Sequence, residues 1–158
     1  MRYAFALAMI TVSLPITCLA QQSNGYIFLG ATNPGSNPFT RYQSTFAHLG
    51  GGGETDLGKW FGFGAEVGAL LASDNQAGLA SLGPYFHFLT SESRVDPFVT
   101  GGYTMLIRGG LGHLWHAGGG VNYWLNDRIG FRAEFRDHVW TERNSVQFLD
   151  FRFGVVFR

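Results

Sequence analysis

The sequence predicts an all-β protein, an eight-stranded antiparallel up-and-down transmembrane β-barrel. After residue 23, apolar and polar residues alternate with a period of two, which is typical of strands rather than helices. Aromatic residues make up 16% of the chain, 23 residues are glycine, and only 14% of residues are charged. Ordinary globular proteins have about 25% charged residues. A secretory segment precedes the alternating region.

The first twenty residues are predicted to be a cleaved signal peptide (1–20), which leaves residues 21–158 as one barrel domain. Arg2 gives a positive start, and Pro15 interrupts the apolar run ahead of a cleavage site with small residues. A buried N-terminal helix is the alternative for this segment. Cys18 is the only cysteine, so the mature chain would have no thiol for a disulfide or a thiolate metal site.

The charges are balanced, with 11 Lys and Arg against 11 Asp and Glu. A balanced chain without a basic patch gives no reason to expect a nucleic-acid partner. No apolar run after Ala20 is long enough for a transmembrane helix. If the chain crosses a membrane, it must therefore do so as a barrel.

Eight strands are predicted, at about residues 24–31, 42–54, 59–71, 79–89, 97–108, 114–125, 128–140 and 146–157. Turn residues such as Asn33-Pro34-Gly35 and Gly109-Gly110 separate them. Short connections predict antiparallel neighbours. An even number of strands places both termini on one side, predicted to be periplasmic. The turns near 55–58, 90–96 and 126–127 would lie on that side, and the loops near 32–41, 72–78, 109–113 and 141–145 would face outward.

The alternation gives each strand an apolar face and a small or polar face. On the third strand the apolar face is Phe61, Phe63, Ala65, Val67, Ala69 and Leu71, opposed by Trp60, Gly62, Gly64, Glu66 and Gly68. On the seventh it is Ile129, Phe131, Ala133 and Phe135, opposed by Arg128, Gly130, Arg132, Glu134, Arg136 and His138. On the eighth it is Leu149, Phe151, Phe153, Val155 and Phe157, opposed by Phe148, Asp150, Arg152 and Gly154.

The apolar face is predicted to contact lipid rather than to form a water-excluding core. The opposite faces of strands four to six carry almost no charge, whereas a surface in water is densely charged. Small residues there suit the crowded interior of an eight-stranded barrel. Aromatic side chains also lie near the strand ends, as in interfacial girdles: Trp115 at one rim, and Phe61, Phe88, Tyr123 and Phe157 at the other.

Three stretches, residues 96–103, 118–137 and 151–157, resemble the OmpA/OmpX-type small outer-membrane β-barrels, a family of outer-membrane β-barrel domain proteins. The resemblance implies a location in the outer membrane of a Gram-negative bacterium, in contact with its lipid. It also implies insertion by the β-barrel assembly machinery, which recognises alternating aromatic residues in the last strand. Here the matching positions are Phe151, Phe153, Val155 and Phe157. Arg158 departs from the family pattern, which ends on an aromatic residue.

The strongest candidate site is a set of charged residues on interior faces and at similar depth: Glu66, Arg132, Glu134, Arg136, Asp150 and Arg152. Buried charges must be paired, because an unpaired one is expensive to desolvate. The prediction is a structural salt-bridge network that plugs the barrel. The alternative is a gate whose rearrangement opens a narrow ion path.

Catalytic, cofactor and metal roles are not predicted. His138 and Ser145 could be drawn as a base and nucleophile, but no motif supports that pairing. His48, His87 and His116 share the interior face, although scattered histidines are usually hydrogen-bonded fillers. The leading prediction is a non-enzymatic, monomeric barrel with a role in envelope integrity or surface interaction. A narrow gated pore, an outer-membrane lipid-modifying enzyme and a soluble secreted barrel of lipocalin type are the alternatives.

Overall fold

The computed structural model describes residues 23–34, 45–72, 76–89, 93–140 and 146–158. The predicted signal peptide lies outside this part of the chain. The eight strands are β1 (Ser23–Pro34), β2 (Phe46–Asp56), β3 (Phe61–Leu71), β4 (Gln76–His87), β5 (Val95–Ile107), β6 (Leu111–Trp124), β7 (Ile129–Trp140) and β8 (Val146–Phe157). None of the described residues belongs to a helix that is long and apolar enough to cross a membrane.

The strands form one closed antiparallel barrel. Each strand pairs with its neighbours in the sequence, and β8 pairs with β1 to close the sheet. Closure gives every strand two hydrogen-bonded partners, so none of the eight has a free edge that could template aggregation. The prediction of an eight-stranded up-and-down barrel is confirmed.

Several strands extend beyond their predicted bounds. β1 continues to Pro34 instead of ending at residue 31, and β4 begins at Gln76 rather than at residue 79. β6 begins at Leu111 rather than at residue 114, because a tight turn precedes it in which Gly109 has φ of 61°. A positive φ favours glycine. Backbone pairing continues to the rims, where the side-chain alternation that predicts strands has already faded.

The two ends of the barrel are named here by their connections. The turn end carries the β2–β3, β4–β5 and β6–β7 connections. Ser23 and Arg158 also lie there, since Ser23 pairs with Thr55 and the backbone N–H of Arg158 donates to the carbonyl of Arg128 at 2.9 Å. The loop end carries the β1–β2, β3–β4, β5–β6 and β7–β8 connections.

The apolar faces point out of the barrel. Between 38% and 69% of the surface is exposed for each of five diagnostic side chains, Phe61, Phe131, Phe135, Phe151 and Phe153. The predicted direction of the faces is confirmed. The prediction of interior positions is wrong for Trp60 on the third strand and for Arg128 on the seventh. Arg128 is exposed in the turn before β7. Trp60 is exposed in the turn before β3, because alternation loses its meaning where the backbone turns.

The pairing also fixes the stagger of the barrel. The stagger can be counted by stepping from a residue of β1 to its paired residue on the next strand, and so on around the barrel to β1 again. The residues met are Ser23, Thr55, Phe63, Pro84, Gly101, Ala117, Asp137, Leu149 and Asn33. The step from Pro84 to Gly101 is set by the pairs on either side of it, Leu82–Tyr103 and Tyr85–Thr100. The path returns to β1 displaced by 33 − 23 = 10 residues. A staggered barrel has tilted strands, at about 35–45° to its axis.

Glycines on interior faces make room for the large side chains opposite them. A Cβ on Gly68 would lie 2.5 Å from Nε2 of His48, and a Cβ on Gly118 would lie 2.7 Å from Cγ of Arg136. Both distances are far shorter than a van der Waals contact. The interior therefore accommodates bulky charged groups because the facing strands contribute no side chain at these positions.

Candidate functional site

All six predicted charged residues lie inside the barrel. Glu66 is on β3, three of the others are on β7 and two are on β8, at alternate positions that share one face. No more than 6% of the surface of any of them is exposed, for Glu66, Arg132, Glu134, Arg136, Asp150 and Arg152. We call these six residues the central cluster.

Glu66 joins the two arginines at the middle of the central cluster. Nη1 of Arg152 donates to Oε1 of Glu66 at 2.7 Å. Nη2 of Arg136 lies 3.2 Å from Oε2 of Glu66. A single carboxylate on β3 therefore connects guanidinium groups that come from β7 and β8, across the interior of the barrel.

The other two carboxylates extend this chain of opposite charges. Glu134 accepts from Nε of Arg136 at one oxygen and from Nε of Arg132 at the other, at 3.1 Å. Asp150 accepts from Nε of Arg152 at 2.5 Å. Three carboxylates thus alternate with three guanidinium groups, which satisfies the requirement that buried charges be paired and hydrogen-bonded.

Aromatic side chains complete the surroundings of the arginines. The guanidinium of Arg132 lies 4.2 Å from the ring centre of Tyr26 and 4.1 Å from that of Phe98, distances at which cation–π attraction operates. The Tyr26 hydroxyl donates to Glu66 at 3.1 Å. Nη2 of Arg136 donates to the Tyr85 hydroxyl at 2.7 Å. Tyr85 lies on the face of the fourth strand that its alternation with Ser81 and Gly83 predicts to be interior. Its contact with Arg136, and the part that Tyr26 plays, were not predicted, since a tyrosine suits either face of a membrane barrel.

A second polar cluster, the turn-end cluster, lies nearer the turn end. It comprises Asn24, Glu54, His87, Asp96 and Asn122, all buried. Nδ1 of His87 is 3.0 Å from both carboxylate oxygens of Asp96, and its Nε2 is 3.8 Å from Oε1 of Glu54. Asn122 donates to Asp96 at 3.1 Å, and Asn24 donates to Glu54 at 3.2 Å.

Glu54 and Asp96 are interior residues that the sequence-based predictions do not include. The predicted turn near 90–96 extends too far, because β5 already begins at Val95. The pattern that could have found Asp96 is its continued alternation with Phe98 and Thr100, all of which are buried.

An apolar layer fills the interior at the loop end. It is formed by Leu70, Leu79, Leu114 and Phe148, all buried. The ring of His138 stacks on Phe148 with centroids 4.5 Å apart. The interior is therefore layered along its axis, from the turn-end cluster through the central cluster to this apolar layer.

The histidines have separate partners rather than a common one. Nδ1 of His48 lies 2.6 Å from Asp150, His87 contacts Asp96, and Nδ1 of His116 lies 2.9 Å from the hydroxyl of Thr104. Within the described part of the chain, no group of three or more His, Cys, Asp or Glu residues could hold a metal ion. Ser145, considered as a partner of His138, lies outside the described residues.

The arrangement leaves little free space beside the central cluster. A crevice lined by Gly64, Ser81, His116 and Arg136, among others, has no room for a water molecule. The geometry is suited to holding β3, β7 and β8 together.

No family model matches the sequence, and no curated protein matches it. Solved structures do match its fold. The N-terminal β-barrel domain of OprF from Pseudomonas aeruginosa is 16% identical, with a TM-score of 0.62, and the match covers 87% of this chain and 99% of that domain.

Two further solved structures give similar values. Neisserial surface protein A is 14% identical with a TM-score of 0.64, covering 85% of this chain and 96% of that one. Ail, the attachment invasion locus protein of Yersinia pestis, is 10% identical with a TM-score of 0.61, covering 85% and 96%. The chain thus has the fold of the small eight-stranded OmpA/OmpX-type barrels, in agreement with the resemblance drawn from its sequence.

Proposed function

We propose that the mature protein is an integral, non-enzymatic protein of the bacterial outer membrane, with a structural role in the envelope or a role in surface interaction. The observation that carries the proposal is the reversed distribution of side chains. Large apolar residues cover the outside of the barrel, while charged residues are buried within it. A protein in water rarely exposes contiguous apolar patches larger than a few hundred Å², but a lipid-facing wall requires them.

The predicted signal peptide supports export, and the proposed orientation places the turn end and both termini in the periplasm. The loop end would then face the outside of the cell. The lengths of the connections do not distinguish the two ends, since 72–75 and 108–110 at the loop end are as short as 57–60 and 125–128 at the turn end. The even number of strands supports placing both termini at one end.

The membrane proposal is tested by fractionation and by gel migration. We expect the mature protein in the outer-membrane fraction, soluble only with detergent, and with faster migration before boiling than after it. A protein that stays soluble without detergent and migrates identically in both states would contradict the proposal and favour a secreted lipocalin-type barrel.

We further propose that the interior is a plug rather than a pore. The alternating ion pairs of the central cluster support this, as does the apolar layer at the loop end, since a hydrophobic constriction excludes water and ions. Conductance across planar bilayers distinguishes the two alternatives. We expect no channel events from the folded protein; reproducible single-channel steps would establish a narrow gated pore instead.

The surface role is supported by two of the similar structures, which are a surface protein and an attachment invasion locus protein. A deletion strain would separate this role from envelope integrity. Increased sensitivity to detergents indicates an envelope role, whereas lost binding to host surfaces with normal resistance indicates a surface role.

The enzyme alternative is tested by the structure of lipid A after overexpression. We expect unchanged lipid A, and altered lipid A would point to an enzyme.

We also propose that the protein is a monomer and that the β-barrel assembly machinery inserts it into the membrane. The side chains of the predicted recognition positions in β8 all point outward, for Phe151, Phe153, Val155 and Phe157. The variant Phe157→Ser should lower the yield of barrel assembled by the purified machinery in lipid vesicles, and leave spontaneous folding in detergent nearly unchanged. Equal losses in both reactions would argue against recognition at this residue.

A further inference from the structure

The buried charges of the described interior are not balanced. Five carboxylates are buried, Glu54, Glu66, Asp96, Glu134 and Asp150, against three guanidinium groups, Arg132, Arg136 and Arg152. The excess is 5 − 3 = 2 negative charges. Leaving a buried charge uncompensated is strongly unfavourable, so the interior needs another source of positive charge.

The excess is located in the turn-end cluster. The three carboxylates of the central cluster alternate with the three arginines. Glu54 and Asp96 remain; among the three buried guanidinium groups, Nη1 of Arg132 lies 3.7 Å from Oε1 of Glu54. Oε2 of Glu54 and Nε2 of His87 have no hydrogen-bond partner, and both atoms are buried. The turn-end cluster is therefore a buried site with negative charge and open hydrogen-bonding capacity.

His87 is the group that lies between the two acids. A neutral imidazole has one N–H donor and one acceptor nitrogen. Both ring nitrogens of His87 face carboxylates, Asp96 at 3.0 Å and Glu54 at 3.8 Å. In a neutral ring, one nitrogen lone pair would point toward a negative charge. Only the imidazolium form presents an N–H to each acid.

We propose that the turn-end cluster is a proton-binding site, in which His87 is held as an imidazolium ion between Glu54 and Asp96. The bound proton joins β2, β4 and β5 through charge-assisted hydrogen bonding and ion pairing. It thereby closes the turn end of the barrel.

The other charged groups around His87 agree with a positive ring. Asp56 on β2 adds a third acid that interacts with His87 electrostatically. Arg132 approaches from β7, and Arg158, at the end of the chain, interacts with Asp56 and Asp96. The polar neighbours from β1 and β6 are the neutral Asn24 and Asn122. Arg132 is already paired with Glu134 in the central cluster, so the three acids face one further arginine, Arg158. That leaves 3 − 1 = 2 negative charges, and a proton on His87 offsets one of them.

His48 and His138 show that the arrangement at His87 is particular to it. Nδ1 of His48 contacts Asp150, but its Nε2 has no partner. Neither ring nitrogen of His138 has a partner. Among the described residues, neither ring has a carboxylate at both of its nitrogens, as His87 does. A metal ion at the turn-end cluster is disfavoured, because no described group of three donors has a suitable arrangement.

The direct test is ¹⁵N NMR of the folded barrel in detergent micelles with ¹⁵N-labelled histidine. The His87 signals are assigned from the spectrum of His87→Gln. At pH 7 we expect both His87 nitrogens to have the shifts of protonated nitrogens, while His138 shows one protonated and one unprotonated nitrogen. An unprotonated nitrogen on His87 at pH 7 would overturn the proposal.

A second test measures the coupling between the charges by thermal unfolding in micelles at pH 7. His87→Gln should lower the unfolding midpoint, because it leaves the acids without their counter-ion. Adding Asp96→Asn to this variant should raise the midpoint again, because it removes one of the excess charges. A further fall in the double variant would show that Asp96 does not depend on a charge at His87, and would also overturn the proposal.

Discussion

Replacing Glu66 by alanine removes the carboxylate that connects two guanidinium groups in the central cluster. At an effective dielectric constant of about 20, two unit charges about 4 Å apart attract by about 4 kcal/mol. The two arginine contacts of Glu66 therefore amount to about 8 kcal/mol. The lost hydrogen bond from Tyr26 adds about 1 kcal/mol.

The variant also no longer pays the desolvation penalty for burying a carboxylate. This offsets several kcal/mol of the lost attraction. Each arginine keeps one other partner, since Arg136 still contacts Glu134 and Arg152 still contacts Asp150. We therefore expect the free energy of unfolding to fall by about 3–5 kcal/mol, the range found when one member of a buried ion pair is removed.

Urea unfolding of the barrel in lipid vesicles, followed by tryptophan fluorescence, measures this free energy. Asp127→Ala is the matched control, because it removes an acid exposed in a turn and should change stability by less than about 0.5 kcal/mol. The loss in free energy of unfolding for Glu66→Gln should lie between the losses for Glu66→Ala and Asp127→Ala. The amide keeps the shape of the side chain and one hydrogen-bond acceptor. A loss below about 1 kcal/mol in Glu66→Ala would refute the reasoning that these pairs hold the interior together.

Two further changes probe the wall of the barrel. In Gly154→Ala, the new Cβ would lie 2.1 Å from the carbonyl oxygen of Ile27, so we expect a loss of about 1–3 kcal/mol in the same urea assay. Gly78→Ala, whose Cβ meets nothing nearer than 3.6 Å, should be neutral, and equal effects would contradict the close approach. On the outer face, Phe153→Arg should destabilise the barrel in lipid vesicles by about 2–4 kcal/mol, against about 0–1 kcal/mol for Leu57→Arg in a turn at the rim. Similar costs at both positions would argue against a lipid-facing wall at Phe153.

Most of the fold could be predicted because two different surroundings act on alternate residues. Phe131 and Phe135 contact the outside, while Arg132 and Glu134 between them face the interior, so the pattern records the strand and its direction together. Alternation alone does not say which face contacts lipid. The low charge on the opposite faces of the strands corresponding to β4, β5 and β6 favoured lipid outside, even though Asp96 on β5 is a buried acid.

The finer contents of the interior could not be predicted for reasons that differ between residues. Glu54 follows four consecutive glycines, Gly50 to Gly53, which carry no alternation from which its face could be inferred. Which carboxylate meets which arginine depends on the stagger between strands distant in the sequence. Glu66 and Arg152, for example, are 86 residues apart. Local patterns contain no information about that pairing.

The stagger of ten residues also limits the ways in which this barrel can form incorrectly. A slip of one residue in any ladder turns every side chain of a strand to the wrong face. Closure of β1 on β8 adds a second condition. A slip in one ladder must be offset by an opposite slip in another ladder, because otherwise the stagger around the whole barrel is no longer ten residues. The neighbouring arrangements that keep all faces correct therefore differ by steps of two residues. The register of the strands can therefore take only discrete values. A chain that has folded in an incorrect register must break all the hydrogen bonds between two strands before that register can change.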